Sequence, residues 1–176
     1  MKNINRFFFI AATISLILAI VVHVLSLSGV YVEDKVPYVS ALHFVTLIVF
    51  FFAFFDLRKT PEIWDNELRK DLKMSAYYKL MFKDTPKPIL VLMAAIFIYA
   101  QVDFFLSFNY GGEGGTADIR DGNYVLHNHG DIIKQLTEKE YIGYQINSLR
   151  SYSSTWMIFL VFAVSILWPK QEELKG

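Results

Sequence analysis

The chain has 176 residues, 54% of them apolar, with 16 Phe and no Cys. Its 17 basic residues balance its 17 acidic ones, which removes the electrostatic case for a nucleic-acid partner. The lack of Cys excludes disulfides, Cys-ligated zinc and iron–sulfur centres.

Four stretches approach the roughly 20 apolar residues that cross a hydrocarbon core of about 30 Å. The first is residues 7–29, "FFFIAATISLILAIVVHVLSLSG". It outruns the roughly 7–15-residue core of a signal peptide, and "SLS" is a poor cleavage site, so it reads as an uncleaved span. The second is residues 39–55, "VSALHFVTLIVFFFAFF", the third residues 89–108, and the fourth residues 152–168, "YSSTWMIFLVFAVSILW". The second and fourth are short and are expected to stand nearly upright.

Lys and Arg divide twelve to five between the two sides of this arrangement. The N-terminus, the loop at 57–88 and the C-terminal tail carry the twelve. Lys35, Arg120, Lys134, Lys139 and Arg150 are the five. The asymmetry places both termini in the cytoplasm and segment 109–151 outside.

The cytoplasmic loop reads as an amphipathic helix lying in the interface. Thr60 suits the N-cap and Pro61 the first helical position, where a missing N–H costs nothing. Trp64, Leu68 and Leu72 follow at i, i+4 and i+8, and Tyr77 and Tyr78 are expected at headgroup level. The plain role is a connector between spans two and three. The functional role would be docking of anionic lipid or a cytosolic partner.

Segment 109–151 differs from everything around it. A Gly-rich lead is followed by two pairs suited to two-residue hairpin turns, Asp121-Gly122 and His129-Gly130. Between and around them lie short strands. Tyr124 and Leu126 are expected to share one face with Ile133, and Val125 and His127 the other with Ile132 and Lys134. "TEKE" then forms a capping box, with Thr137 as N-cap and Glu140 three residues on. Nothing breaks helix from there to Trp168, so this helix is expected to run unbroken into the fourth span. A small sheet is marginal alone in water, so it should pack on that helix as a lid over the outer mouth.

The candidate site is polar and intramembrane. His23 lies about 25 Å along the first span from Arg6, His43 about 9 Å beyond Pro37, and Asp103 about 22 Å beyond Pro88. All three, with Gln101, point to the outer leaflet. Ionisable groups at such depths normally face the bundle interior or a wet cavity. Tyr124, His127, His129 and Asp131 are the candidate lid residues above them. Against a binding pocket stands simple interhelical hydrogen bonding. Two His on neighbouring spans also meet the minimum for bis-His haem ligation, although nothing else supports a cofactor. "HNHGD" offers three ligand types in five residues, but a turn at His129-Gly130 separates His127 from His129, so no metal site is expected. No phosphate loop, no H-E-x-x-H and no G-x-S-x-G is present, and no catalytic residue can be named.

Three pieces, "YYKLMFKDTPKPILVLMAAIFIYAQVDFF", "DIRDGNYVLHNHGDIIKQLTEKEY" and "SSTWMIFLVFAVSIL", resemble a family of uncharacterised multi-span bacterial membrane proteins. "DGNYVLHNHG" and "LTEKEY" are the most specific parts, and the likeness covers about the second half of the chain. Asp103 stands where the family pattern has Asn, and Thr155 where it has His. The resemblance implies a multi-span topology and a bacterial origin, and implies nothing about chemistry.

The fold expected is an all-α membrane protein: a four-helix transmembrane bundle with a small extracytoplasmic β-meander and an interfacial cytoplasmic helix. The function expected is non-enzymatic binding of a partner protein or lipid through the lid and bundle mouth. The alternative is a transporter-like or haem-binding redox subunit built on His23, His43 and Asp103.

Overall fold

The protein is described from a computed structural model, which covers residues 2–57, 73–108 and 114–169. The helix expected to begin at Thr60, with Trp64, Leu68 and Leu72, lies outside the described residues.

Six helices and three strands follow in order: α1 (Lys2–Leu27), α2 (Val32–Lys35), α3 (Ala41–Leu57), α4 (Met74–Met81), α5 (Lys87–Phe108), β1 (Thr116–Arg120), β2 (Asn123–Asn128), β3 (Asp131–Gln135) and α6 (Glu138–Ile166). Among the described residues three helices are long and apolar enough to cross a membrane: Asn3–Leu27 of α1, Lys87–Ser107 of α5, and Glu138–Ile166, which is α6. α3 is apolar but has 17 residues, about 25 Å of helix at 1.5 Å per residue.

α6 is the axis of the molecule, and α1, α3 and α5 each pack on it. Its 29 residues are the unbroken helix that the lack of breakers predicts. The capping box starts it: Glu140 N–H donates to Thr137 Oγ1 at 3.3 Å, and Thr137 N–H donates to Glu140 Oε2 at 2.7 Å. The buried stripe of α1 runs through Ala12, Ser15, Leu16, Ala19, Val22, His23 and Ser26, the i, i+3, i+4 spacing of one helical face. Ala and Ser on that stripe let α1 approach the buried Ser153 and Ala163 of α6 closely. The outward faces of α1, α3 and α5 remain apolar and exposed, as at Ile17, Ile48 and Phe105. In water such faces would be costly, whereas lipid covers them without penalty.

Rings and one polar tie fix α1 against α3. Phe8 stacks on Phe52 with centroids 3.7 Å apart, and Asn5 Nδ2 donates to Asp56 Oδ2 at 3.0 Å.

The sheet is an antiparallel meander in the order β1-β2-β3. Both expected turns are present. Asp121 and Gly122 hold φ of 49° and 78°, and His129 and Gly130 hold 49° and 101°. Two successive positive φ values define the hairpin turn whose twist matches the strands. Arg120 Nη1 donates to the Gly130 carbonyl at 2.9 Å, tying the second turn to β1.

One strand-face expectation is corrected. Lys134 pairs with Leu126, not with the face of Val125 and His127. The register shifts between Leu126 and His127, so Ile133 is an extra residue in β3, and everything after it changes face. Ala117, Leu126, Leu136 and Tyr144 form a small core between the sheet and the first turns of α6, with Tyr124 and Tyr141 packed against it. That contact supplies the second layer which a three-stranded sheet needs in water.

Candidate functional site

Three helices meet in a polar network near the sheet end of the bundle. α5 contributes Tyr99, Asp103 and Ser107, which repeat every four residues and so form one stripe. α6 contributes Asn147, Arg150 and Ser153, which repeat every three. α1 contributes His23, only 3% exposed.

The network has two halves that share Arg150. His23 Nδ1 lies 3.2 Å from the Arg150 carbonyl and 3.0 Å from Ser153 Oγ, and its Nε2 lies 2.6 Å from the Tyr99 hydroxyl. A carbonyl can only accept, so the proton belongs on Nδ1, and Nε2 accepts from the Tyr99 O–H. The side chain of Arg150 turns to α5. Its Nε stands 3.1 Å from Asp103 Oδ1, and its Nη2 donates to Ser107 Oγ at 2.9 Å. Among the described residues Arg150 Nε–H makes no aligned hydrogen bond, so charge rather than directional bonding holds the pair. Asn147 Nδ2 donates to the Ser107 carbonyl at 3.0 Å. Two buried acceptors stay without a partner among the described residues, Asp103 Oδ2 and Asn147 Oδ1.

The expected intramembrane residues divide. His23 and Asp103 enter one network, joined through Arg150 and flanked by Tyr99. His43 does not join them. It sits exposed on α3 and its Nδ1 accepts from Trp156 Nε1 at 3.0 Å. Gln101 is exposed on α5 and takes no part. A stripe argument explains the difference: Gln101 is two residues from Asp103, so it points nearly to the opposite side of the helix.

The candidate lid residues do not close over His23. Tyr124 packs on Tyr141 with ring centroids 4.7 Å apart. His127 stays within the sheet, its Nε2 3.9 Å from Asp118 Oδ2. His129 and Asp131 are exposed at and beside the second turn. No three His, Asp or Glu side chains converge to hold a metal ion among the described residues.

Tyr99, Ser107, Asn147, Arg150 and Ser153 are the network members that the sequence reading did not name as site residues. A signal for Arg150 was available. It lies inside the unbroken 138–168 run, and a cation there needs an anion such as Asp103.

Beside the network lies a cleft of about 300 Å³. The sheet supplies its rim from Gly114, Gly115 and Thr116, α5 supplies Phe104 and Ser107, and α6 supplies Asn147, Ser148 and Tyr152 among others. Gly115 is required here. At φ 119° a Cβ would come 2.8 Å from the His127 carbonyl oxygen and 3.3 Å from Leu126 Cγ. Gln145 Nε2 donates to the Ala117 carbonyl at 3.1 Å and holds β1 to α6 just behind that rim.

No known protein family, curated protein or solved structure matches the chain.

Proposed function

We propose that this is a small multi-pass protein of a bacterial cytoplasmic membrane, of the family its second half resembles. In this reading it has four spans and both termini inside. It is a binding protein rather than an enzyme, and its ligand is a membrane lipid held between the sheet and the outer mouth of the bundle.

The observation that carries the reading is the cleft at the junction of sheet, α5 and α6. It sets Phe104 and Tyr152 beside Ser107, Asn147, Ser148 and Ser151, so it offers both apolar and hydrogen-bonding wall. At about 300 Å³ it is the size of a lipid headgroup with the start of a chain, at the lower end of small-molecule sites. The unpartnered acceptor Asn147 Oδ1 favours a headgroup that donates hydrogen bonds, an amine or a hydroxyl.

The test is mass spectrometry of lipid retained by the full chain after purification in mild detergent. Ser148→Phe fills the cleft from an α6 position that bonds to nothing in the network. The variant is expected to lose a donor-bearing lipid that the parent retains, with an unchanged melting temperature. Equal lipid retention by both would overturn the reading. Loss of a stoichiometric co-purifying protein instead would give the site to a partner.

A second reading, a transporter-like or redox subunit, draws on one observation: Asp103 Oδ2 is buried without a partner. A buried carboxylate oxygen of that kind is a place for a cation or a proton. Haem between His23 and His43 would require both rings to exchange Tyr99, Ser153 and Trp156 for iron.

A further inference from the structure

The opposite end of the bundle carries a second and larger cavity, of about 500 Å³, open on one side. Phe50 of α3, Tyr78 of α4, Phe82 just after it, Phe97 of α5 and Phe159 and Phe162 of α6 line it. Its cause is the packing. α3 and α5 both lie on α6, but among the described residues they do not close on one another, and a furrow remains between them. The wall is almost wholly apolar, and an apolar cavity does not hold water. In a bilayer, hydrocarbon chain is the solvent that would fill such a furrow.

The chain that brings Tyr78 and Phe82 to the furrow has the opposite chemistry. Lys79 follows Tyr78, Lys83 follows Phe82, and Lys87 begins α5. All three are exposed, and from Lys73 to Lys87 four lysines face a single acid, Asp84. The turn between α4 and α5 is fixed in place. Thr85 Oγ1 donates to the Ser165 carbonyl at 2.6 Å, and Thr85 N–H donates to the Phe82 carbonyl at 3.0 Å. The turn that carries Phe82 and Lys83 is thereby anchored on the last turn of α6. Phe82 meets Phe162 edge to face, with centroids 5.6 Å apart.

We propose that this furrow seats an acyl chain of an anionic phospholipid, with Lys79, Lys83 and Lys87 meeting its phosphate. Charge complementarity selects the occupant: an apolar furrow whose lining residues Tyr78 and Phe82 come from a lysine-rich, exposed segment fits a chain that ends in a negative headgroup. Each lysine close to an anionic headgroup favours it by roughly fivefold. The site lies at the other end of α5 from the cleft at the sheet, so it stands or fails independently of that proposal.

Photolabelling tests it directly. The full chain is reconstituted in phosphatidylcholine vesicles that contain either phosphatidylglycerol or phosphatidylcholine with a diazirine in the acyl chain. After irradiation, adducts are mapped by peptide. Adducts are expected around Phe97 and Phe162, stronger with the phosphatidylglycerol probe by about fivefold or more. Lys79→Gln with Lys83→Gln should bring the two probes close to parity without loss of helix content, since both side chains are on the surface. Ala94→Trp, which fills the furrow, should remove the adducts, whereas Ser148→Phe should leave them unchanged. Equal labelling by both probes in the parent would overturn the proposal. So would labelling spread evenly over exposed positions such as Ile98 and Phe105, or a furrow closed by a second copy of the chain.

Discussion

Arg150 Nε stands 3.1 Å from Asp103 Oδ1, and the acid is only 4% exposed. The pair joins the middle of α6 to the last third of α5. Either charge alone at that place would be expensive, because the carboxylate is buried and the arginine side chain largely so. The same arginine offers its carbonyl to His23, so one residue links α1, α5 and α6.

Breaking that pair from one side should therefore cost more than replacing both partners. Arg150→Gln is expected to lower stability by about 3 kcal/mol, since it strands a buried carboxylate. The double change Asp103→Asn with Arg150→Gln should recover much of that loss. Chemical unfolding in mild detergent measures both. Strictly additive losses would show that the two charges do not feel each other. Asp103→Asn alone also separates the functional readings. Unchanged folding with loss of cation or proton flux in vesicles would favour a transporter, and unchanged lipid retention would favour a bracing role.

Thr137→Ala removes the acceptor for the Glu140 N–H and should cost about 1 kcal/mol at the start of α6. Amide exchange over residues 138–144 reads this. The expected change is an acceleration of about fivefold there, with the amides around Leu160 unaffected. Unaltered exchange in that turn would mean that the sheet, not the cap, holds the helix start.

Gly115→Ala should loosen the sheet from the bundle. Its Cβ would meet the His127 carbonyl oxygen at 2.8 Å, and φ of 119° suits almost nothing but Gly. A cost of about 2 kcal/mol is expected, felt as faster exchange in β1 and β2. Gly122→Ala is the control, because a Cβ there meets nothing within 4 Å. Its penalty should be that of the turn conformation alone. Equal effects from the two would remove the claim of close packing at the cleft rim.

Topology is the fourth expectation. Single Cys residues at Ser75 on α4 and at Asp131 on the sheet, both exposed, should react with an impermeant thiol reagent from opposite sides of the membrane. Asp131→Cys should label from outside in intact cells. Labelling of both from one side would end the four-span arrangement.

Short-range chemistry was legible in the sequence because its causes are local. Asp121-Gly122 and His129-Gly130 declared their turns, and Thr137 with Glu140 declared the helix start. Of the four apolar stretches expected to be spans, three lie in helices of membrane length among the described residues, and the second is the shorter α3. The positions of His23 and Asp103 along their helices were also readable, since rise per residue is fixed once a helix is granted.

Partners were not legible, because they depend on how helices rotate about their axes and which neighbours they meet. Depth alone put His23, His43, Gln101 and Asp103 together; packing sent His43 to Trp156 and left Gln101 outside. Charge counting treated Arg150 as part of an outer loop, yet the unbroken helix carries it down to Asp103. The extra residue at Ile133, which turned Lys134 to the face of Leu126, has no local sequence signature. The chain by itself determined the two turns, the start of α6 and where the long apolar helices lie. Only the tertiary structure decided which of them touch, because contact is set by the fit of whole helix faces and not by any residue's own preference.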